Sequence, residues 1–284
     1  MIAIALATFR EVIRKKVVLI IGILTVIYLI LFSLMIHFAM EDMRKSHINS
    51  AEIIMTAAGI ISIMGFYFCS MITSFVTIMA SVGAISSDIE SGLIHSIVTK
   101  PLRRREYVMG KYLGVAGLAV AYSTFLYVFL FIINFAFNIP PLNQVQPFVF
   151  LHGLVLFCFE PLVLLSLCLF GSVLLKTMNN GILAIGIYIL GIAGGMMEQI
   201  GTFIELNYLS QWGIFISLVS PFDSIYRKMM SVLFFSMNLI GTTFAGPFFA
   251  SERVPSIWMM IYALVYCLGF ILLAIRKFNT KDIG

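Results

Sequence analysis

Long apolar runs separated by short polar stretches set the pattern of this chain. After Arg14-Lys15-Lys16 the sequence stays apolar from Val17 to about Ala39, and further apolar runs follow over about 53–85, 112–137, 148–175, 181–197 and 257–275. A helix rises about 1.5 Å per residue and the hydrocarbon of a bilayer is about 30 Å thick, so about 20 apolar residues cross it with every backbone group paired internally. The six runs therefore predict six transmembrane helices. The second would be about 50 Å long as a helix, so one of its ends is expected to project into water. "MEDMRKSHINSAE", "NIPPLNQVQP" and "KTMNNG" supply the turns between runs.

Residues 198–256 break this rhythm, because Glu198, Glu205, Asp223, Arg227, Lys228, Glu252 and Arg253 interrupt shorter apolar pieces, the best of them 229–250. With six spans and both termini inside, thirteen of the eighteen Lys and Arg fall on the cytoplasmic side and five outside, as the positive-inside rule requires. Making 229–250 a single further span would push Arg276, Lys277 and Lys281 outside. The region is expected to form a re-entrant or interfacial segment on the outer face, where irregular backbone survives if protein buries it. A pair of extra spans would keep the same charge bias. The chain shows no convincing internal repeat, and 1–284 reads as one transmembrane domain.

Two polar stretches have helical periodicity of their own. Ile2, Leu6, Phe9, Ile13 and Val17 recur at helical spacing among Arg10, Glu11, Arg14, Lys15 and Lys16, which predicts an amphipathic helix lying in the membrane interface. The plain alternative is a basic flank that only orients the first span. The second stretch is "SSDIESGLIHSIVTKPLRRREYVMGK", residues 86–111. Ile89, Leu93 and Ile97 step by four with Ile94 and Val98 beside them, leaving Glu90, Ser91, His95 and Ser96 opposite. Ser87-x-x-Glu90 fits a capping box, and Pro101 disfavours helical geometry at Lys100. A two-faced helix this short is marginal in water, so its apolar face needs a surface to rest on. Arg103-Arg104-Arg105 and Lys111 then bracket the start of the third span. The stretch reads either as a positive-inside anchor or as a docking element for a cytoplasmic partner.

Composition agrees with the run pattern: 61% hydrophobic residues, 11% charged residues and a mean hydropathy of +1.06 exclude a soluble domain. The net charge of +5 is read as the positive-inside signal, since basic patches interleaved with aromatics and nucleic-acid motifs are absent. Nucleic acid is not an expected partner; membrane lipid is. Cys69, Cys158, Cys168 and Cys267 all sit in apolar runs without CxxC spacing, which suggests neither disulfides nor zinc. The first apolar run is too long for the core of a cleavable signal peptide and is expected to remain as a span.

Few residues carry chemistry. Glu160, in "LFCFEPLVLL", is the one carboxylate well inside an apolar run. Intramembrane carboxylates are costly and face a partner group or a water-filled cavity, so Glu160 reads as lining a substrate pathway or as bonding to a neighbouring helix. Gly191-x-x-x-Gly195 permits close helix contact, at a subunit seam or in ordinary packing. Asp223 and Arg227, four apart, can pair on one helix face. The seventeen methionines and four histidines are dispersed, so no metal or other bound cofactor is expected. No nucleophile, base and orienting group come together, and no GxxxxGK[ST] loop is present; the chain is expected not to be an enzyme.

"DIESGLIHSIVTKPLRRREYVMGKYLG" resembles the loop of ABC-2 type transporter permeases, in which an acidic residue and glycine precede a short apolar helix, followed by Pro, a basic residue and Gly-Lys leading into the next span. Glu90, Gly92, Pro101, Arg103 or Arg104, Gly110 and Lys111 are the matching positions; Leu93 departs from the Thr found in many relatives. "ALATFREVIRKK", the six-span plan, "SPFDSIYRK" and the terminal "RKFNTKDIG" are similar as well, so the resemblance covers essentially the whole chain. It implies an all-α polytopic membrane protein with six transmembrane helices, an N-terminal amphipathic interfacial helix, a cytoplasmic coupling helix between spans 2 and 3 and a re-entrant outer segment between spans 5 and 6. The coupling loop over 86–111 would dock on a separate ABC ATPase, which would bind the ATP and Mg, through Ile89, Glu90, Gly92, Leu93, Ile94, Ile97, Val98, Pro101, Arg103 and Arg104. The working unit would pair two permease copies, or this chain with a paralogue, in a prokaryotic cytoplasmic membrane, most simply as an exporter. Two other classes compete: a stand-alone secondary transporter or channel, which inverted repeats or several buried charges would favour, and an intramembrane enzyme, which would need a catalytic cluster around Glu160.

Overall fold

In the computed structural model the described residues are 1–14, 16–45, 51–93, 103–139, 142, 145–234 and 255–280. Among them the chain is almost wholly helical and no strand is present. In chain order the helices are α1 (Ile2–Arg14), α2 (Lys16–Lys45), α3 (Ala51–Ser81), α4 (Ser86–Glu90), α5 (Arg104–Ala136), α6 (Pro147–Leu174), α7 (Thr177–Phe203), α8 (Asn207–Val219), α9 (Phe222–Phe234) and α10 (Ile257–Thr280). Six of these stretches, built on α2, α3, α5, α6, α7 and α10, are long and apolar enough to cross a membrane. The fold is that of an all-α polytopic membrane protein.

The bundle is organised around α6. Two-thirds of its apolar stretch is buried, against 17% of that of α2. One apolar core surrounds its second half, where Val163, Leu164, Leu165 and Leu169 meet Ile78 and Ile85 from the α3 side and Val108 and Val115 from α5. A second, aromatic core surrounds its first half, where Phe157 packs with Phe66, Tyr127 and Phe234. Leu19, Ile20, Ile23, Leu24 and Val26 of α2 are more than half exposed. In water that apolar face would oppose folding; against lipid it loses nothing.

The predicted N-terminal amphipathic helix exists as α1, and it is held by glycines. Its Thr8 and Val12 are buried on α5, because Gly110 and Gly114 let the two backbones meet. A Cβ at Gly114 would stand 2.7 Å from the Ala5 carbonyl oxygen and 2.7 Å from Thr8 Cβ. Ile4 and Phe9 pack partly buried on the first core, while Ile2, Leu6 and Ile13 stay exposed, so α1 offers one flank to protein and leaves the other open.

Several boundaries differ from the sequence reading. The third span begins as helix at Arg104, so residues 104–111 are the first turns of α5 rather than part of a loop. The fifth extends over 177–203, and the last runs on to Thr280. The larger difference concerns the two-faced helix expected from Ser87 onward. Helix α4 has 5 residues, its N-cap is Ile85 with no side-chain cap, and Gly92 follows at φ +71° in the left-handed region that glycine tolerates. The capping box does not form. Ser87 Oγ donates instead to the Gly83 carbonyl, and Glu90 accepts from Thr177 on a different helix. Serines whose hydroxyls bond back to nearby carbonyls turn the chain, and those bonds compete with capping geometry.

Within the irregular 198–256 region, α8 folds back antiparallel on α7 through glycine contacts. A Cβ at Gly213 would lie 2.4 Å from the Glu198 backbone nitrogen, and one at Gly201 would lie 2.5 Å from that of Ser210. Helix α9 is then threaded into the bundle, with Phe222, Ile225, Met229 and Leu233 fully buried. The rest of the 229–250 apolar piece lies outside the described residues.

Candidate functional site: the α4 clasp and the Glu160 pocket

Two polar constructions stand out in this apolar molecule. The first ties α4 to the ends of other helices. Lys111 Nζ lies 2.7 Å from Asp88 Oδ2 and 3.4 Å from Glu11 Oε2, and the Tyr107 hydroxyl donates to the same Asp88 oxygen. Helices α4, α5 and α1 thus share one charge cluster, in which Lys111 is 7% exposed and Asp88 12%. Tyr107 also stacks on Phe278 of α10 with ring centroids 5.6 Å apart, while Arg104 Nη1 donates to the Asn279 carbonyl at 3.1 Å. A guanidinium on terminal carbonyls suits the negative end of a helix.

A second set of contacts fixes α4 to the α6–α7 turn. Glu90 Oε1 accepts the Thr177 N–H at 2.8 Å, at the N-terminus of α7, where a carboxylate is favoured. Ser172 Oγ of α6 accepts the backbone N–H groups of Ile85 and Ser86, each at 2.9 Å. Asn180 Nδ2 donates to the carbonyls of Val82 and Cys168 at 2.8 and 2.9 Å. Helix α4 is thus in contact, directly or through these side chains, with α1, α5, α6, α7 and, by way of Tyr107, α10.

The expected docking residues fall on both sides of Gly92. Ile89 packs partly buried against the first core, whereas Leu93 is 51% exposed beyond the break; the two do not form one continuous helical stripe. Arg103 precedes α5 and Arg104 lies in its first turn. Ile94, Ile97, Val98 and Pro101 lie outside the described residues. Asp88, Tyr107, Ser172 and Asn180 were not singled out from the sequence. Asp88 and Lys111 did fall in the quoted stretch, and their opposite charges on either side of Pro101 were the available signal.

The second construction is at the middle of the bundle. Glu160 is 3% exposed and accepts hydrogen bonds from Ser70 at 2.7 Å and Ser74 at 3.0 Å, both on α3. It lines a small pocket together with Tyr67, Ser70, Tyr188, Asp223 and Tyr226. Asp223 Oδ2 lies 2.8 Å from Arg227 Nε, and Arg227 Nη2 lies 2.7 Å from Glu198 Oε2. The expected Asp223–Arg227 pair is present, with Glu198 of α7 as its third member. Burial pushes the Asp223 carboxyl up, against the opposing pull of the Arg227 guanidinium. Gly191 and Gly195 pack within this chain: a Cβ at Gly195 would sit 1.8 Å from Asp223 Oδ2, and one at Gly191 would sit 2.2 Å from Ser220 Oγ.

A family model described as ABC-2 family transporter protein matches residues 2–283. This chain belongs to the ABC-2 transporter family. It is accordingly a membrane permease component of an ABC transporter and not the ATPase itself. No curated protein matches the chain. In the permease, the clasp around α4 occupies the sequence stretch that carried the family resemblance, and the Glu160 pocket lies in the middle of the spans.

Proposed function

We propose that this permease is the transmembrane subunit of an ATP-driven exporter that docks on a separate ABC ATPase through residues 86–111. The observation that carries this reading is the clasp. Asp88, Glu90 and Lys111 join α4 to three other helices, α5, α1 and α7, so a push on it has a mechanical route into the spans. ATP and Mg reside in the partner, and closure of the ATPase dimer moves α4. The permease is then a two-state element biased by its partner's nucleotide state. The active unit contains two permeases, as a homodimer or with a paralogue. It sits in a prokaryotic cytoplasmic membrane with both termini and α4 inside, lipid covering α2, and the α8–α9 region forming a re-entrant outer element. Glu160 faces the route of the substrate.

The test is copurification in mild detergent from native membranes, comparing wild type with Leu93→Asp/Ile97→Asp. An ABC ATPase recovered with wild type and lost with the variant, while the variant still inserts, supports docking through this segment. No ATPase even after crosslinking in the membrane would sink the reading and favour a stand-alone transporter.

A further inference from the structure

Helix α1 presents two features on its open side that the bundle does not use. A helix turns about 100° per residue, and Thr8 and Val12, buried on α5, mark the protein side of this one. Next around the helix come Ile2, Leu6 and Ile13, exposed and within an arc of roughly 40°. Arg10 and Arg14, exposed as well, occupy about the next 80°. Glu11, the one carboxylate of α1, is turned away from them, with its Oε2 3.4 Å from Lys111 Nζ. The acid of the helix is thus committed to the α4 clasp, and two guanidiniums stand beside an apolar stripe.

The seat on α5 fixes the depth of α1. Helix α5 has 33 residues and is about 50 Å long, so when centred on about 30 Å of hydrocarbon it leaves about 10 Å, or about seven residues, at each end. The boundary then falls near Lys111, between the two glycines, Gly110 and Gly114, on which α1 rests. An apolar stripe at that level meets acyl chains, and arginines at its edge reach the phosphate layer. A guanidinium takes phosphate oxygens in bidentate fashion. Interfacial helices bind by apolar burial plus attraction to anionic lipid, which a cytoplasmic leaflet supplies. The chain also passes directly from α1 into α2, whose exposed Leu19, Ile20 and Ile23 face lipid, so the open flank of α1 borders a surface the bilayer already covers.

We infer that α1 binds an anionic phospholipid, with Ile2, Leu6 and Ile13 among its acyl chains and Arg10 and Arg14 on its phosphate. Assigning that lipid to the cytoplasmic leaflet rests on the N-terminal placement proposed above; the binding itself does not. Because Glu11 of the same helix meets Lys111, the lipid site and the α4 clasp share one element.

The test places a bimane label on Leu6→Cys in the full permease. The protein is reconstituted into phosphatidylcholine nanodiscs holding a fixed fraction of nitroxide-bearing phosphatidylglycerol or of nitroxide-bearing phosphatidylcholine. Protein without the added cysteine, labelled in the same way, supplies the background from the native thiols. Both lipids should quench, and phosphatidylglycerol should act as though enriched at the site by about fivefold or more, the factor expected for an arginine near an anionic headgroup. Added salt should reduce that preference. Arg10→Gln/Arg14→Gln, which changes two exposed side chains, should remove most of the preference and leave quenching by phosphatidylcholine in place. Lys45→Gln, at the far end of α2, should keep it. Quenching by neither lipid overturns the inference and leaves a protein partner as the cover of the stripe. Equal quenching by both lipids, or a preference undiminished in the double variant, also overturns it. Both leaflets of the disc have the same composition, so the result does not depend on which side the N-terminus faces, and the inference can fail without the topology or the ATPase docking failing with it.

Discussion

Lys111 Nζ stands 2.7 Å from Asp88 Oδ2, and this buried contact ties α4 to the third span. Breaking a buried ion pair from one side leaves the other charge stranded, at a cost of about 3–5 kcal/mol, while replacing both partners with apolar groups is often tolerated. Asp88→Leu and Lys111→Met are each expected to lower the thermal unfolding midpoint in detergent. The double variant should recover much of the loss. A double variant less stable than either single one would show that the pair is not the interaction that matters.

The α1–α5 contact is predicted to depend on one glycine and not its neighbour. Gly114→Ala drives a methyl within 2.7 Å of the Ala5 carbonyl oxygen, backbone that cannot step aside, whereas Gly117→Ala meets Phe9 at an ordinary 3.8 Å. The first should detach α1, read as faster labelling of a cysteine placed at Thr8. The second should leave labelling unchanged and, from helix propensity alone, add up to about 1 kcal/mol of stability. Equal labelling in both variants would count against the close approach.

Asn180 is fully buried and bonds two carbonyls on two different segments. Asn180→Leu strands both, at about 1–3 kcal/mol for each buried group left unsatisfied. The expected result is a lower unfolding midpoint together with increased protease sensitivity near residues 82–93, since Val82 is one of the two acceptors. Asn180→Asp should not rescue it, because a carboxylate cannot donate to a carbonyl.

The spans were legible because an apolar run long enough to cross a bilayer has few other fates. Residues 53–85 and 148–175 were placed within a few positions of α3 and α6. The 86–111 stretch was legible as a special place but not in its geometry. A period-four reading of Ile89, Leu93 and Ile97 assumes a continuous helix, and Gly92 at φ +71° interrupts it. The Ser87–Glu90 capping box failed for a related reason: Glu90 had a stronger tertiary use at the start of α7. The Asp223–Arg227 pair was readable from its spacing, whereas Glu198 joins it only because glycines bring α7 and α9 together. Glu160 was visible as an oddity. Its serine partners lie on α3, and a single sequence does not reveal which hydroxyls of a long apolar helix face inward.

The glycines of α7 supply the remaining prediction. Gly195 faces Asp223, and a Cβ there would lie 1.8 Å from Oδ2 and 2.3 Å from Cγ; Gly186 on the same helix has nothing within 4 Å. Gly195→Ala must therefore swing the Asp223 carboxylate or push α9 away from α7. Swinging the carboxylate separates Asp223 from Arg227, its partner on the same helix, whereas pushing α9 away keeps that pair and draws Arg227 off Glu198 of α7. Overpacking of this kind costs about 1–3 kcal/mol, so the unfolding midpoint should fall in Gly195→Ala and hold or rise in Gly186→Ala. Combining Gly195→Ala with Asp223→Ala removes the colliding carboxylate, and the additional loss caused by the methyl should then shrink. If it persists undiminished, the methyl acts on the helix backbone and not on the ion pair, and the role assigned here to Gly195 fails.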